Sequence, residues 1–261
     1  MRRPPAASTP PLLAVPSITT GPTHIANAVR ATPPTPSHKP DSQSGTGIAE
    51  FTIVAIPIFF LGLAAFETAR WFSTNHMLSV ALQQAGRAAI VAHGHPDIIQ
   101  SAFEQSLNAL NPGSKRRLPG ASGAISWHIE ILSPTPGAFL DFGDRRLRAR
   151  PDVRFDIINN HYLAEQHARY QRNGWADGLG PVSNQTIYEA NMLTLRLRFP
   201  LPPLVPGVKS ILQTLGKQNG SYSEQALFHG FLPLVREVSF VMQSHPINWP
   251  LPSSGKIIRP S

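Results

Sequence analysis

The sequence lacks cysteine altogether and is short of charged residues, which make up 15% of its 261 positions. Without cysteine the chain has no disulfides, no thiolate ligands for zinc and no cysteine nucleophile. The charged fraction lies below the roughly 25% that is typical of soluble domains, and the shortage is local, because sixteen uncharged residues follow Glu50. Proline is abundant instead, and ten of the 27 prolines fall within the first 45 residues. This uneven composition predicts three parts: a leader over residues 1–45, a long helix over 46–94 and an outer domain over 95–261.

The leader is predicted to be basic and low in complexity. It has four basic residues, Arg2, Arg3, Arg30 and Lys39, and one acidic residue, Asp41. Its net charge is therefore +3. Proline removes backbone donors and disfavours helix, and the leader has too few large apolar residues to form a core. Its apolar stretch from Leu12 to Val15 is too short for a secretory signal peptide and is followed by proline. We therefore expect the leader to be either disordered or removed by processing.

The uncharged run from Phe51 to Phe66 predicts a membrane-spanning helix. Sixteen helical residues extend about 24 Å, and a start near Thr46 lengthens this to about 31 Å, close to the roughly 30 Å of a hydrocarbon core. The alternative is a buried helix of a soluble protein, but apolar residues here cover every helical face rather than one stripe. Pro57 is compatible with a span, since membrane helices accommodate proline. We place the transmembrane segment at about residues 48–68.

The residues around this span predict its anchoring and orientation. Glu67, Arg70 and Trp71 follow the apolar run, where an interfacial anchor is expected. Four Lys/Arg residues precede the span, whereas only Arg70 and Arg87 follow within about 20 residues. This bias predicts a single-pass protein with its amino end inside and its outer domain on the other side of the membrane.

The helix is predicted to continue beyond the span to about Val91. Glycine and proline in the sequence His93-Gly94-His95-Pro96 then end it. Apolar residues recur at helical spacing in this second half, and they predict an amphipathic face: Phe72, Met77, Val80, Ala81, Ala85, Ala88 and Val91.

Gly45 is followed, after four intervening residues, by Glu50, and the apolar helix begins directly after this glutamate. This arrangement resembles the prepilin processing site, where a prepilin peptidase cuts after the glycine; here that is the Gly45–Thr46 bond. A carboxylate at the edge of lipid costs up to a few kcal/mol unless it is paired. Cleavage would create an amine on Thr46, about 6 Å along the helix axis from Glu50, as its partner in the same chain or a neighbouring subunit. The alternative is an ordinary acidic residue ahead of a membrane anchor.

The motif and its surroundings resemble the TadE-like minor pseudopilins of the tight-adherence (Flp-type IVb) pilus assembly system. The resemblance is carried by Gly45, Glu50-Phe51, the early Pro57, and Glu67 with Arg70. Two later stretches also resemble the family's tail: Glu189-Ala190-Asn191-Met192-Leu193-Thr194-Leu195-Arg196 and Val241-Met242-Gln243-Ser244.

The resemblance implies a structural component of a pilus, with helix assembly and charge pairing through Glu50 and Phe51. It implies a prepilin peptidase, other pilins or pseudopilins and the Tad inner-membrane machinery as partners, besides the lipid bilayer. It also implies that the protein lies in the bacterial inner membrane, with a cytoplasmic amino end and a periplasmic outer domain. Extraction of the protein into a pilus is left open.

The outer domain is expected to have an α+β fold, in which the long helix packs on a small antiparallel sheet with short helices. The apolar pattern is helical over residues 96–110 and 161–171, and it alternates over 125–131, 193–199 and 235–242. We expect Pro200 to end the second of the three strands. Four dispersed aromatic residues are expected in the core: Phe139, Phe142, Phe155 and Tyr162.

The sequence contains no recognisable catalytic or cofactor-binding motif, such as HExxH, GxSxG, a Walker loop or a dinucleotide fingerprint. The pairs His93/His95 and His161/His167 lack a third metal ligand at useful spacing. Basic runs at 115–117 and 145–150 are expected to form a solvated face or a subunit contact rather than a nucleic-acid site. We therefore expect no enzymatic activity, cofactor or metal. The alternative is a membrane-anchored envelope protein with an enzymatic or binding outer domain.

Overall fold

The computed structural model describes residues 46–110, 126–147, 155–251 and 257–259. The predictions for the leader, for Gly45 and for the basic run at 115–117 lie outside these residues. The described elements, in chain order, are α1 (Thr46–Val91), α2 (Pro96–Leu110), β1 (His128–Ser133), α3 (Pro136–Phe142), α4 (Leu163–Arg172), a 3₁₀ turn (Ala176–Gly178), α5 (Ile187–Ala190), β2 (Met192–Leu201), α6 (Val208–Leu215), α7 (Tyr222–Phe228), β3 (Leu232–Val241) and β4 (Ile257–Ile258).

The strands form one four-stranded antiparallel sheet in the order β3-β2-β1-β4. Its longest pairing runs from Met192 opposite Val241 to Leu201 opposite Leu232. The α+β prediction, with a long helix, short helices and a small antiparallel sheet, is confirmed. Since neighbouring strands run in opposite directions, the ends of β2 and β3 that meet at Leu201 and Leu232 are joined by the connection over residues 202–231.

The core lies between the second half of α1, α2 and one face of the sheet. Along β2, Leu193, Leu195 and Leu197 are buried, whereas the alternating Thr194, Arg196 and Arg198 are half-buried on the other face. The core includes residues from all three layers: Leu78, Leu82, Ala85, Ile99, Phe103, Trp127, Ile129 and Leu195. Full burial of one large aliphatic or aromatic side chain contributes about 1.5–3 kcal/mol, so this cluster holds the carboxyl half of α1 against the sheet.

The face of α1 that packs on the sheet differs from the predicted one. Ala81 and Ala85 are buried as expected, but Phe72 is 74% exposed and Val91 is also exposed. The buried stripe is instead formed by residues spaced three or four apart, which share one helical face: Leu78, Ala81, Leu82, Ala85 and Ala89. Periodicity alone placed the apolar arc in the wrong rotational position because α1 is apolar on several faces.

The prediction that Pro200 ends the second strand is wrong. Strand β2 continues to Leu201, and Pro200 lies opposite Pro233 of β3. The pairing of β1 with β2 extends only to Arg198, so at Pro200 the strand has β3 as its one partner in the sheet. Proline is tolerated there because a locally unpaired side does not require its missing N–H.

Three further details differ from the sequence predictions. Strand β1 begins at His128 rather than at residue 125, which lies outside the described residues. Phe139 and Phe142 are buried as expected, but Tyr162 is exposed. Helices α3, α5, α6 and α7 and strand β4 are not predicted by the sequence, and each has eight or fewer residues. Such short elements give too few periods for a pattern to identify them.

The carboxyl end of α1 is capped by the chain that follows β3. The Ile90 carbonyl accepts hydrogen bonds from the backbone N–H of Gln243 at 3.2 Å and from Ser244 Oγ at 2.8 Å. Ser244 Oγ in turn accepts the backbone N–H of His93 at 2.9 Å. The last carbonyls of a helix lack partners within it, so this tail segment satisfies groups that the helix cannot.

Candidate functional site

The first half of α1 is an apolar helix that the rest of the protein leaves uncovered. In the most apolar stretch of this helix none of the residues is buried, and large side chains such as Phe51, Ile58 and Phe60 are exposed. A core helix of a soluble protein would be mostly covered. Length, composition and exposure therefore make α1 a candidate membrane-spanning helix, consistent with membrane anchoring.

The predicted processing motif lies at the start of this helix. Gly45 is outside the described residues, and α1 begins at Thr46. Glu50 and Phe51 are exposed one turn further on. No ion pair of Glu50 occurs within the described ranges of the chain. The carboxylate is therefore available to a partner such as a new amino terminus, and its charge-pairing role stays a prediction.

A cluster of polar contacts marks the other end of the exposed apolar segment. Glu67 and Arg70 form an ion pair at 2.7 Å, and their side chains are only 18% and 19% exposed. Arg70 Nη2 also donates a hydrogen bond to the Pro202 carbonyl, and Glu67 Oε2 accepts the backbone N–H of Leu204 at 3.2 Å. We call these four residues the boundary clamp. The neighbouring Trp71 is exposed, as an interfacial aromatic residue would be.

The local sequence explains why the clamp forms. Glu67 and Arg70 are three residues apart, so they lie on the same side of α1. Prolines at 202, 203 and 206 favour an extended chain after β2, and proline cannot donate a backbone hydrogen bond. The Pro202 carbonyl and the Leu204 N–H therefore find their partners on α1. The sequence predicts Glu67 and Arg70 at the membrane interface, but it gives no sign of the loop that they hold.

Strand β3 packs alongside α1, beyond the boundary clamp in the direction of the helix's carboxyl end. Arg236 Nε donates to Asn75 Oδ1 at 2.9 Å. A Cβ at Gly86 would collide with the Phe240 ring, so glycine permits this close approach of strand and helix. Together with the Gln243–Ile90 bond, these contacts align β3 with α1 from its membrane-proximal part to its end.

The two tail stretches singled out in the sequence meet in the structure. The Asn191 carbonyl accepts the backbone N–H of Met242 at 2.9 Å, and Asn160 Nδ2 donates to the Met242 carbonyl at 2.9 Å. The Asn191 side chain is fully buried and donates to the Ile187 carbonyl at 3.0 Å. These hydrogen bonds join the start of β2 to the end of β3 at the far end of the sheet.

Histidines from three segments approach one another near the end of α1. The rings of His161 and His245 are 4.7 Å apart, and His93 Nδ1 lies 3.0 Å from the His245 carbonyl. His245 Nδ1 accepts the backbone N–H of Asn160 at 3.0 Å, which requires a neutral ring. In the part of the chain that the structure describes, no three His, Asp or Glu residues are arranged to hold a metal ion.

A helix with an exposed apolar half and a second half packed on an antiparallel sheet defines a class: an α+β protein with a pilin-like amino-terminal helix, consistent with membrane anchoring. A family model for TadE-like protein matches residues 45–87 of this chain. The chain is therefore TadE-like over this segment, and the match supports a component of the Tad pilus system. No curated protein and no solved structure matches the chain.

Proposed function

We propose that the protein is a TadE-like pseudopilin, a non-enzymatic component of a Tad (Flp) type IVb pilus. Prepilin peptidase cleaves it after Gly45 in the bacterial inner membrane, with the amino end cytoplasmic and the outer domain periplasmic. The family match supports this most directly, because it begins at Gly45 and extends through the exposed apolar half of α1. In this role the whole chain, including the outer domain, is a structural component of the pilus.

Cleavage supplies the charge that Glu50 requires. A carboxylate at the membrane boundary is costly when unpaired, and a free amine on Thr46 lies close enough along the helix to compensate it. The same amine can instead reach Glu50 of a neighbouring subunit. In that arrangement the pair fixes the axial offset between adjacent helices, and the processed chain assembles more readily than its precursor.

The exposed part of α1 provides the assembly surface. Helices associate in lipid through close packing and polar pairing rather than through the hydrophobic effect. Gly62 has open space around its Cα, so a neighbouring helix can approach it closely. Contacts between different faces of successive subunits do not close on themselves and generate filaments or tips. The partners in this scheme are other pilins or pseudopilins and the Tad inner-membrane machinery.

Substitution of Glu50 tests this assembly role. We expect Glu50→Ala to abolish pilus assembly and crosslinking between apolar helices, while protease resistance of the outer domain stays unchanged. Glu165→Ala is the matched control, because Glu165 is exposed on α4, far along the chain from α1. Normal piliation and crosslinking in Glu50→Ala would contradict the proposal.

A further inference from the structure

A second exposed apolar surface lies on the connection between β2 and β3. This connection contains α6, which has no buried residue, followed by α7. Its three most exposed large apolar side chains are Leu204 at 54%, Ile211 at 62% and Leu215 at 63%. We call these three side chains the α6 face. Ile211 and Leu215 are four residues apart and share one side of α6, and exposed large apolar side chains that share a side indicate a contact surface.

The contacts of the sheet place this connection at the membrane-proximal end of the outer domain. Along β3, Arg236 contacts Asn75, and Gln243 beyond the strand contacts Ile90. The strand therefore runs in the same direction as α1, and its first residue, Leu232, is at the end nearer the apolar segment. The boundary clamp attaches Pro202 and Leu204 directly to the residues that end this segment.

The α6 face belongs to a defined helical hairpin rather than to a loose loop. Gly207 starts α6 in a left-handed conformation with φ 85°, which glycine adopts readily. The backbone N–H of Lys217 donates to the Glu224 carbonyl at 3.1 Å, and a capping box with Ser221 fixes the start of α7. The outward direction of Ile211 and Leu215 is therefore set by the fold.

We infer that the α6 face lies on the bilayer, with its three side chains at the boundary between lipid headgroups and acyl chains. A helix with apolar residues on one side and polar residues on the opposite side, here Lys209 and Gln213, has the character of an interfacial amphipathic helix. Lys209 and Gln213 are both exposed, four residues apart, on the side away from Ile211 and Leu215. The inference rests on the proposed membrane span in α1.

A lipid surface is favoured as the occupant because the α6 face continues the exposed apolar segment of α1. The clamp joins Leu204 to Glu67, the residue that follows this segment. On α1 itself, the exposed Trp71 and Phe72 come within two turns after the same boundary, where aromatic residues commonly meet the membrane interface. Leu204 and these aromatic residues thus lie near the same boundary on two elements.

Single cysteines test this arrangement directly, because the natural chain has none. Ile211→Cys and Leu215→Cys report on the α6 face, and Gln213→Cys, exposed about 200° around the helix from each, is the matched control. Phe60→Cys in α1 reports on the span. Each full-length variant is labelled with a polarity-sensitive fluorophore and placed in vesicles of phosphatidylglycerol and phosphatidylethanolamine. The fluorescence of the label is then quenched either by nitroxides on the acyl chains or by iodide in the water.

We expect acyl-chain nitroxides to quench the labels at 211 and 215 about threefold more than the label at 213, which iodide quenches instead. Strong lipid quenching at 60 without it at 211 and 215 would overturn the inference and leave the span intact. Loss of lipid quenching at 60 as well would overturn the span. Protection of 211 and 215 from both quenchers would assign the α6 face to a protein partner and overturn the lipid contact.

Discussion

The carboxylate of Glu67 accepts the backbone N–H of Leu204 at 3.2 Å, across 137 residues of sequence. The same carboxylate is paired with Arg70, which also holds the Pro202 carbonyl. An acidic residue that follows the exposed apolar segment therefore has a structural role, because it attaches the connection between β2 and β3 to α1. This attachment fixes where the outer domain begins relative to the apolar segment.

Removal of Arg70 is predicted to loosen the boundary clamp. Arg70→Ala leaves Glu67 and the Pro202 carbonyl without their partner, and hydrogen bonds to charged groups contribute about 1.5–3 kcal/mol. We expect the free energy of unfolding of the outer domain to fall by about 1–3 kcal/mol. Urea unfolding in detergent micelles, followed by tryptophan fluorescence, measures this change.

The control for this variant is Arg87→Ala on the same helix. Arg87 is exposed and takes part in no ion pair within the described residues. We expect its loss to change stability by less than about 0.5 kcal/mol. Equal effects of the two substitutions would show that the clamp does not contribute to stability.

The cap at the end of α1 gives a second prediction. Ser244→Ala removes the hydroxyl that donates to the Ile90 carbonyl and accepts the His93 N–H. We expect a loss of about 1 kcal/mol, with faster hydrogen exchange in the last turn of α1. Ser73→Ala, at an exposed position of the same helix, is expected to leave both quantities unchanged. Unaltered exchange at 90–93 in Ser244→Ala would contradict the capping role.

Stability is predicted to fall in mild acid because of His245. Burial lowers the pKa of His245, and His161 and His93 lower it further, while Asp144 acts in the opposite direction. Since the unfolded chain then binds the proton more tightly than the folded protein, stability is full above the unfolded pKa of about 6.5. It decreases as the pH falls from there through the lower pKa of the folded state.

Urea unfolding at pH 7.5 and pH 5.5 measures this dependence. We expect His245→Gln to reduce the difference in stability between the two pH values. His229→Gln changes an exposed histidine of the outer domain and should preserve the difference. His128 contributes in the same direction, because burial and then Arg198 lower its pKa, against the opposing charge of Glu130. Stability that is higher at pH 5.5 would contradict the assignment.

The sequence was sufficient to predict elements whose pattern is long or regular. The exposed half of α1 was predictable because its apolar residues cover every face, and β2 because leucines alternate with polar residues at 193–198. The same reasoning failed for Phe72, since a pattern cannot show which side of an apolar helix the sheet will cover. It failed at Pro200 because the extent of β1 beside β2 cannot be read from β2 alone.

The candidate site was only half predictable for a related reason. Glu67 and Arg70 stood out as charges at the end of an apolar run, but their partners are backbone groups of residues 202 and 204. Backbone donors and acceptors occur at nearly every position, so they give no sequence signal. The two tail stretches could be named from the resemblance, whereas their contact through Asn191 and Met242 required the fold.

The mass of the protein in the membrane fraction tests the account most directly. With an active prepilin peptidase, we predict a mature chain that begins at Thr46 and lacks residues 1–45. Without the peptidase, or with Gly45→Leu in the peptidase-positive strain, the leader should remain. A functional protein that retains its leader when the peptidase is active would contradict processing and the charge compensation of Glu50.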